Sequence, residues 1–380
     1  MNINFASIEI PTFSSNRSKS KYSHEGIPYG DDNLYPNNIL NYAYQSTTHQ
    51  ACIKLLTISI AGQGYDTSIL SSDALNFLES VDYETSNSTL LDKISTSLSI
   101  FNGYALEVIY DKQIEPKIVE VNFLPFQNIR ADDYDKYGEV SAYRYYPDII
   151  NHSNEYELIP AFGVIPKDEK GKPLKKYKKT NEILYVSVYN PADLIYPVPN
   201  YVSSMNWIAT EYEISKHHLS SSINNFLPSS MITIFGNFTP EEQSVIVKKF
   251  NKSNVGTDNS SKSLISFAEG MEQAPKVDIF TASNIVDVYM NTSEEAKNNI
   301  ITSHNITSPA LIGISSNNSS IFSNGEELMT AWNVFYNTTI QSYHTLIEKN
   351  MNLILKYAGY PNDKYVIIPF DPTYKNNTNV

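Results

Sequence analysis

Residues 300–325 of the chain read IITSHNITSPALIGISSNNSSIFSNG and separate two helical patterns. The first pattern breaks at a Pro-led turn, residues 308–313, because the residue before a proline is disfavoured in the helical region of backbone space. A run of small polar residues, 315–320, follows before the second pattern begins. A polar connection of this kind is usually a plain surface loop. Its functional interpretation therefore depends on the elements around it.

The pattern after this stretch predicts one long helix over residues 326–359. Apolar residues recur there at helical spacing, beginning with Leu328 and Trp332. Gly359 gives the expected helix stop, with Pro361 just beyond it. At 1.5 Å per residue the helix is about 50 Å long, so its apolar stripe must pack against something equally long, in its own domain or in neighbouring subunits. A short strand is expected at residues 365–370.

Two further helices precede the opening stretch and flank a compact insert. The first is expected over residues 203–227, where Ser203 or Ser204 is the expected cap. The second is expected over residues 283–304, with Ser283 as its cap. Each carries one apolar stripe at spacings of three and four residues.

The insert, residues 228–282, predicts a helix between two short strands. Thr239 stands at the N-cap and Glu242 three residues after it, so the hydroxyl and the carboxylate satisfy backbone amides reciprocally. The strands are expected at residues 231–235 and 263–267. The buried face of the helix is expected to consist of Val245, Ile246 and Phe250.

The first half of the chain predicts a mixture of helices and short strands. Residues 1–36 are expected to form an extended arm. Helices are predicted over residues 37–62 and 88–101, and a short helix capped by Ser72 is predicted between them. Strands rich in β-branched and aromatic residues are predicted at 104–110, 118–124, 140–146, 156–164 and 183–189. This pattern predicts the α+β class.

The composition excludes several classes of protein. The chain has 380 residues, of which 41% are hydrophobic and 18% charged, which indicates two or three folded units. Its single cysteine, Cys52, excludes an intramolecular disulfide and a cysteine-based zinc site and is expected to be a buried small hydrophobe. The net charge of −13 disfavours a tight grip on nucleic acid, because lysine and arginine supply most duplex affinity. Neither a signal peptide nor a membrane helix is expected.

The motifs of common catalytic and metal sites are incomplete. Residues 62–64 start like a dinucleotide fingerprint but lack its third glycine. Residues 133–144 start like a calcium loop, but arginine stands where a bidentate glutamate is needed. His217 and His218 would point about 100° apart on a helix and cannot chelate together; one is expected to face a subunit or core contact and the other solvent. No HExxH, GxxxxGK[ST] or GxSxG motif is found, so no catalytic site, cofactor or metal is expected.

Residues 167–179 hold seven lysines and allow two interpretations. One is a patch that binds phosphate. The other is a solvated hairpin loop, which is favoured because Asp168 and Glu169 lie within the run and no aromatic residues alternate with the lysines as a stacking ladder.

The order of these parts resembles that of tailed-bacteriophage portal proteins, in a short form. The resemblance spans about residues 30–361 and rests on several short motifs. Each motif alone is a weak signal, but the order in which they occur is specific. They are FNGYALEV at 101–108, LPFQNIR at 124–130, NNFLPSS at 224–230, TPEE at 239–242 and HNITSPALIG at 304–313. Related proteins typically carry an fG-(I/V)-P-x-x-L-G turn near residues 305–313. This sequence departs from that turn at Thr307-Ser308-Pro309.

The resemblance implies a ring, usually of twelve subunits, at one capsid vertex of the virion. Double-stranded DNA would pass through its axis during packaging and ejection, without chemistry by the ring. The implied parts are a wing (1–202), two stem helices (203–227 and 283–304), a clip (228–282), a channel loop (305–325), a long helix towards a crown (326–359) and a C-terminal strand and tail (360–380).

The resemblance also implies partners and their contact residues. The channel loop would touch DNA phosphates through neutral hydrogen bonds from Ser315, Ser316, Asn317, Asn318, Ser319 and Ser320. The clip would dock the terminase large subunit and later the head–tail adaptor. Its docking surface is expected to include Thr239, Glu241, Glu242, Lys248 and Lys249. A major capsid or scaffold protein would be a further partner during assembly in the host cytoplasm, and no membrane is involved.

Two other classes of function are compatible with the sequence. A carbohydrate-binding or carbohydrate-active protein is suggested by the tyrosine-rich β segments between Tyr104 and Tyr201, and a sugar-binding assay would separate it from the portal interpretation. A scaffolding or adaptor protein of another assembly is the other class, which a ring of different order would favour.

Overall fold

A computed structural model describes residues 26–82, 89–135, 137–165, 179–223, 231–253, 264–270, 282–314 and 325–371. The chain forms two compact units. The larger unit comprises Met1–Ile208 with Asn298–Val380, and the smaller comprises Ala209–Lys297. The mixed α and β composition that the sequence predicted is confirmed.

The larger unit begins with two helices where the sequence predicted one. Helix α1 spans Tyr35–Ala43 and helix α2 spans Thr47–Ala61. The prediction of a single helix over 37–62 was wrong because Ser46 takes an extended backbone, and its side chain accepts a hydrogen bond from the His49 amide at 3.1 Å. A serine in this role starts a new helix.

Gly62 ends α2, as predicted, in a conformation that only glycine adopts easily. Its φ is 59°, and an added Cβ would lie 2.2 Å from the carbonyl oxygen of Ile368. The close approach lets the Gln63 amide donate to that oxygen at 2.9 Å, while the Ile368 amide donates to the carbonyl of Gly64 at 2.9 Å. The predicted strand at 365–370 is reduced to this pairing and one bridge between Tyr65 and Ile367.

The next two helices pack over the sheets. Helix α3 spans Ser72–Asp82, and its cap is Ser71 and not the predicted Ser72, since the Ser71 hydroxyl accepts from the Ala74 amide at 3.3 Å. Helix α4 spans Leu90–Phe101 and starts at a capping box between Thr89 and Asp92. Most residues of α4 are buried, which marks it as a central element of the core.

Two antiparallel three-stranded sheets form the β part of this unit. The first has the order β2-β1-β6, from Ile118–Leu124, Gly103–Tyr110 and Asn181–Ser187. The second has the order β3-β4-β5, from Ile129–Ala131, Ala142–Tyr145 and Glu157–Pro160. The predicted strands are therefore present, and those predicted at 140–146 and 156–164 are shorter in the structure.

Helices α5 and α7 contribute to both units. Helix α5 spans Met205–Ile223, and helix α7 spans Ala282–Ser303. The predicted cap Ser283 lies inside α7, one residue after its start. Residues 224–230, which include the end of the predicted helix 203–227, lie outside the described residues.

The long C-terminal helix is not one uninterrupted α-helix. Helix α8 spans Gly325–Phe335, a π turn spans Tyr336–Ile340, and helix α9 spans Gln341–Ala358. The spacing of the apolar residues explains the interruption. Phe335 and Ile340 are five residues apart, and on an α-helix their side chains would point about 140° apart. The wider π turn lets both side chains be fully buried. Gly359 ends α9 with a φ of 104°, as predicted.

The smaller unit contains a β-α-β element. Strands β7 (Met231–Phe235) and β8 (Leu264–Ala268) pair in parallel, and helix α6 (Pro240–Ser253) connects them. These elements match the predicted insert closely. No helix among the described residues is both long and apolar enough to cross a membrane.

Candidate functional site

The first part of the predicted channel loop 305–325, residues 305–314, is held by hydrogen bonds in the larger unit. Asn305 ends α7 in a left-handed conformation, with a φ of 55°. The next residue, Ile306, is buried, and its amide donates to the carbonyl of Ile301 at 3.3 Å. The Thr307 hydroxyl then donates to the carbonyl of Ala331 on α8 at 2.7 Å. This bond ties the segment before the loop to the helix after it.

A second set of bonds fixes the turn itself. The Ser308 hydroxyl accepts from the Ala310 amide at 3.3 Å and caps a short 3-10 turn, Pro309–Ile312. Gly313 follows with a φ of 80°, and its amide donates to the carbonyl of Ala310 at 3.1 Å. Apolar side chains of the turn pack against the core of the unit. The chain therefore reaches residue 314 at a defined position.

The predicted channel-loop residues follow directly but lie outside the described residues. These are Ser315, Ser316, Asn317, Asn318, Ser319 and Ser320. Helix α8 begins at Gly325. Their role stays a prediction, and the structure shows an anchored turn only on the side that precedes them.

A buried histidine pair lies at the base of the turn. His49 Nδ1 on α2 is 2.8 Å from His304 Nε2 at the end of α7, so one nitrogen donates to the other. The Tyr201 ring packs on both, with centroids 4.4 Å from His49 and 4.9 Å from His304. Burial lowers the pKa of His304 to about 3, and burial followed by the nearby His304 lowers the pKa of His49 well below its usual value. Both rings are therefore neutral at pH 7.

A second buried polar cluster joins the long helix to the body. The Tyr343 hydroxyl donates to Asn102 Oδ1 and accepts from Asn200 Nδ2, both at 3.0 Å. The neighbouring His344 places Nε2 3.0 Å from the carbonyl of Ile60 and 3.3 Å from that of Ser59, at the end of α2. An N–H at this position satisfies carbonyls that have no partner within their own helix. Sequence reasoning missed both clusters, because each joins residues distant in the chain.

The arginines that the structure describes serve the fold and do not form a phosphate site. The chain has three arginines in all. Arg130 is fully buried and donates to the Asn33 side chain at 2.6 Å and to the carbonyl of Gln127 at 2.9 Å. Arg144 pairs with Asp132 at 2.6 Å and lies 4.4 Å from the Tyr156 ring centroid. Neither guanidinium is available to a duplex.

The smaller unit carries the predicted docking residues on α6. Thr239 and Glu242 form the capping box, since the Thr239 amide donates to Glu242 Oε2 at 2.9 Å and the Glu242 amide donates to the Thr239 hydroxyl at 3.3 Å. Glu241 and Lys248 are exposed. The side chain of Lys249 lies outside the described residues.

One prediction for α6 was wrong. Val245 was expected in its buried face, but 51% of the residue is exposed. Steps of four and three residues place Glu241, Val245 and Lys248 along one side of the helix. This exposed stripe runs from an acidic to an apolar to a basic side chain. A groove of about 270 Å³ in the same unit is lined by residues that include Phe238, Thr239, Phe267 and Glu269.

The adjacent histidines of α5 are both exposed. Neither therefore lies in a core, although the His217 ring stacks on Tyr289 of α7 at a centroid distance of 4.7 Å. The expected contact with a neighbouring subunit stays a prediction. The described residues contain no group of three histidine, cysteine or acidic side chains that could hold a metal.

Comparisons with known proteins find a likeness in structure and none in sequence. No family model and no curated protein matches the chain. A chain in the virion of a native gene transfer agent particle matches with a TM-score of 0.55 and 15% identity, over 88% of this chain and 83% of that one. A chain in the neck of a native particle, computed with C12 symmetry, matches with a TM-score of 0.54 and 13% identity, over 89% and 85%.

A third match is an HK97-family phage portal protein from Corynebacterium diphtheriae. Its TM-score is 0.47 and its identity 11%, over 87% of this chain and 95% of that one, and a score this low supports no further conclusion. At the identities of the first two matches, the likeness shows a shared fold. The chain thus has the fold of a chain in the virion and neck of gene transfer agent particles, and the resemblance inferred from its sequence is confirmed at the level of the fold.

Proposed function

We propose that this chain is a portal subunit, which forms a ring at one capsid vertex and conducts double-stranded DNA. The observation that carries the proposal is a fold shared over nearly nine-tenths of the chain with a chain of a particle neck that was computed with C12 symmetry. A cyclic ring of more than two identical subunits uses head-to-tail interfaces that a single copy cannot satisfy. A ring of twelve is therefore the proposed working state, in the virion and at the assembling capsid.

The anchored turn supports a channel-loop role for residues 315–320. A loop that contacts moving DNA needs fixed ends, and the Thr307 bond to α8 together with the Pro309–Ile312 turn provides one. Its small neutral side chains offer weak hydrogen bonds and no fixed cation. With the described arginines occupied internally and a net charge of −13, the duplex is not trapped by the counterion release that drives tight binding.

The remaining part assignments belong to the same proposal. Residues 1–202 form the wing, 203–227 and 283–304 the stem helices, and 228–282 the clip. The clip docks the terminase large subunit during packaging and the head–tail adaptor afterwards. The exposed stripe of Glu241, Val245 and Lys248 is the part of α6 that a partner would reach, whereas Thr239 and Glu242 are engaged in the helix cap.

The feature that suggested a carbohydrate-related function has a structural explanation. Six tyrosines of the tyrosine-rich region are buried in the core and offer no platform to a sugar ring, whereas Tyr137, Tyr156 and Tyr189 are exposed. The six buried tyrosines are Tyr104, Tyr110, Tyr143, Tyr146, Tyr196 and Tyr201. Several of them bond to backbone carbonyls or carboxylates, as Tyr201 does to the carbonyl of Ile100 at 2.6 Å. Their abundance thus reflects polar bonding within the core.

Mass and symmetry of the purified protein test the proposal directly. Native mass spectrometry and class averages of single particles should give a closed ring near twelve subunits with an axial hole. Ring formation should be examined with and without the cognate scaffold, since subunits can await it before assembling. A dimer, or a monomer that persists with scaffold present, contradicts the proposal.

A further inference from the structure

The turn between β1 and β2 presents a fully exposed isoleucine. Ile114 has 102% of its reference surface accessible. The turn around it is ordered, because the Asp111 carboxylate accepts from the Gln113 amide at 3.3 Å and from the Lys117 amide at 3.1 Å. Single exposed apolar residues are common on protein surfaces, so Ile114 becomes informative only if a complementary site exists.

A groove of suitable chemistry lies in the same unit, between α1, α4 and the end of β2. Its volume is about 330 Å³, and three aromatic rings, Phe101, Phe123 and Phe126, form its apolar part. Tyr44, 65% exposed, lies at its edge. An apolar cavity of about 150 Å³ already holds a benzene molecule, so this groove has room for an isoleucine side chain.

The isoleucine cannot reach the groove of its own chain. Strand β1 starts next to Phe101, and β2 returns to Phe123, so the groove and the turn lie at opposite ends of one hairpin. Eight residues of β1 at about 3.3 Å each separate them by roughly 25 Å. One copy therefore carries an apolar knob at one end of the hairpin and an apolar hole at the other.

We infer that Ile114 of one copy inserts into this groove of the next copy, as a head-to-tail contact. The inference rests on the proposed ring and names one of its interfaces. A knob and a hole at separate places on one chain make a heterologous contact, which closes into a ring when the rotation between copies permits. Each side carries one charge of each sign, with exposed Lys112 and Glu115 flanking the knob and Lys93 and the helix-capping Asp92 lining the groove, so the two sides can pair opposite charges.

A pair of charge substitutions tests the knob. Ile114→Asp should weaken ring assembly about tenfold or more, as expected for a buried apolar anchor at an interface. The matched control is Ile150→Asp, at an isoleucine that is 66% exposed elsewhere in the same unit, and it should assemble normally. Sedimentation velocity over a concentration series gives the comparison, and equal thermal unfolding midpoints show that both variants fold. Equal assembly of the two variants overturns the inference.

Cysteine crosslinking tests the contact itself. The native Cys52 is fully buried, so introduced cysteines report alone. Ile114→Cys protein mixed with Thr96→Cys protein, the latter in the groove, should give an oxidised dimer that neither variant gives by itself. Failure of the mixture to crosslink, or efficient crosslinking of Ile114→Cys to itself, overturns the head-to-tail contact.

The outcome separates this inference from the proposed function. If the wild-type chain forms no ring even with its scaffold, the proposed function fails and the contact fails with it. If the wild type forms rings and Ile114→Asp forms them equally well without the crosslink, only the contact is wrong.

Discussion

His49 and His304 share one buried hydrogen bond of 2.8 Å, although 255 positions separate them in the chain. The pair joins the second helix to the end of α7, where the chain turns towards residues 315–320. Neither ring has a described carboxylate as a hydrogen-bond partner that would favour its charged form. The pair therefore makes this junction sensitive to acid.

We predict that stability falls between pH 7.5 and pH 5. Because the pKa of each histidine is lowered in the folded state, the unfolded state binds more protons below about pH 6.5, and the free energy of unfolding decreases there. Each histidine should account for about 2 kcal/mol at pH 5. Urea unfolding at both pH values measures this loss.

Two variants check the origin of that loss. His304→Gln should show a smaller difference in unfolding free energy between pH 7.5 and pH 5 than the wild type. His217→Gln, at an exposed histidine, should show the wild-type difference. An unchanged difference in His304→Gln would assign the acid sensitivity to other groups.

Gly62 gives a prediction with a control two residues away. Gly62→Ala should destabilise the protein by about 2–4 kcal/mol, since the added methyl group meets the Ile368 carbonyl and the backbone conformation is itself unfavourable. Gly64 also has a positive φ, of 88°, but no atom lies within 4 Å of its added Cβ. Gly64→Ala should therefore cost only the backbone strain, about 1 kcal/mol. Equal losses in chemical unfolding would show that the contact with Ile368 is unimportant.

Thr307→Val should loosen the turn in the first part of the predicted channel loop. The substitution removes the hydroxyl that donates to the Ala331 carbonyl while keeping the side-chain shape. We expect a loss of about 0.5–1 kcal/mol and faster hydrogen exchange of the amides of residues 311 and 313. Thr302→Val is the control, because the Thr302 hydroxyl donates to the Asn298 carbonyl of its own helix. Similar exchange in both variants would contradict an anchoring role for Thr307.

The conduit proposal predicts that fixed cations in the loop slow DNA. Replacing Asn317 and Asn318 with lysine should reduce the rate of genome packaging, because each lysine adds a phosphate contact that moving DNA must break. Replacing both with glutamine keeps the neutral amides and should leave the rate near that of the wild type. Unchanged packaging by the lysine variant would count against contact between this loop and DNA.

The exposed stripe of α6 predicts a separation of docking from assembly. Val245→Asp should weaken binding of the terminase large subunit or the adaptor about tenfold or more, while rings form normally. Ser244→Asp, at the adjacent exposed position, controls for the added charge. Loss of rings in Val245→Asp would place this residue in subunit contacts instead.

Local patterns in the sequence predicted most helices and strands. They could not predict contacts between residues that are distant in the chain. The capping box of α6 was predictable because Thr239 and Glu242 are three residues apart. The break at Ser46 was missed, since apolar spacing continues across it. The exposure of Val245 could not be predicted either, because helical spacing identifies an apolar face of a helix but does not show whether another element covers that face. The pairing of His49 with His304 left no local signal at all.

Because of the π turn, the number of residues between α8 and α9 determines which way the side chains of α8 face. Each residue added to or removed from an α-helix rotates everything beyond it by about 100°. Tyr336–Ile340 takes up a step of five in the apolar pattern and keeps both Trp332 of α8 and Tyr343 of α9 buried. A one-residue deletion at the exposed Asn337 would turn α8 away from the Thr307 anchor. The number of residues in the π turn therefore fixes the rotation of α8 about its axis, and with it the direction from which the preceding loop enters the helix.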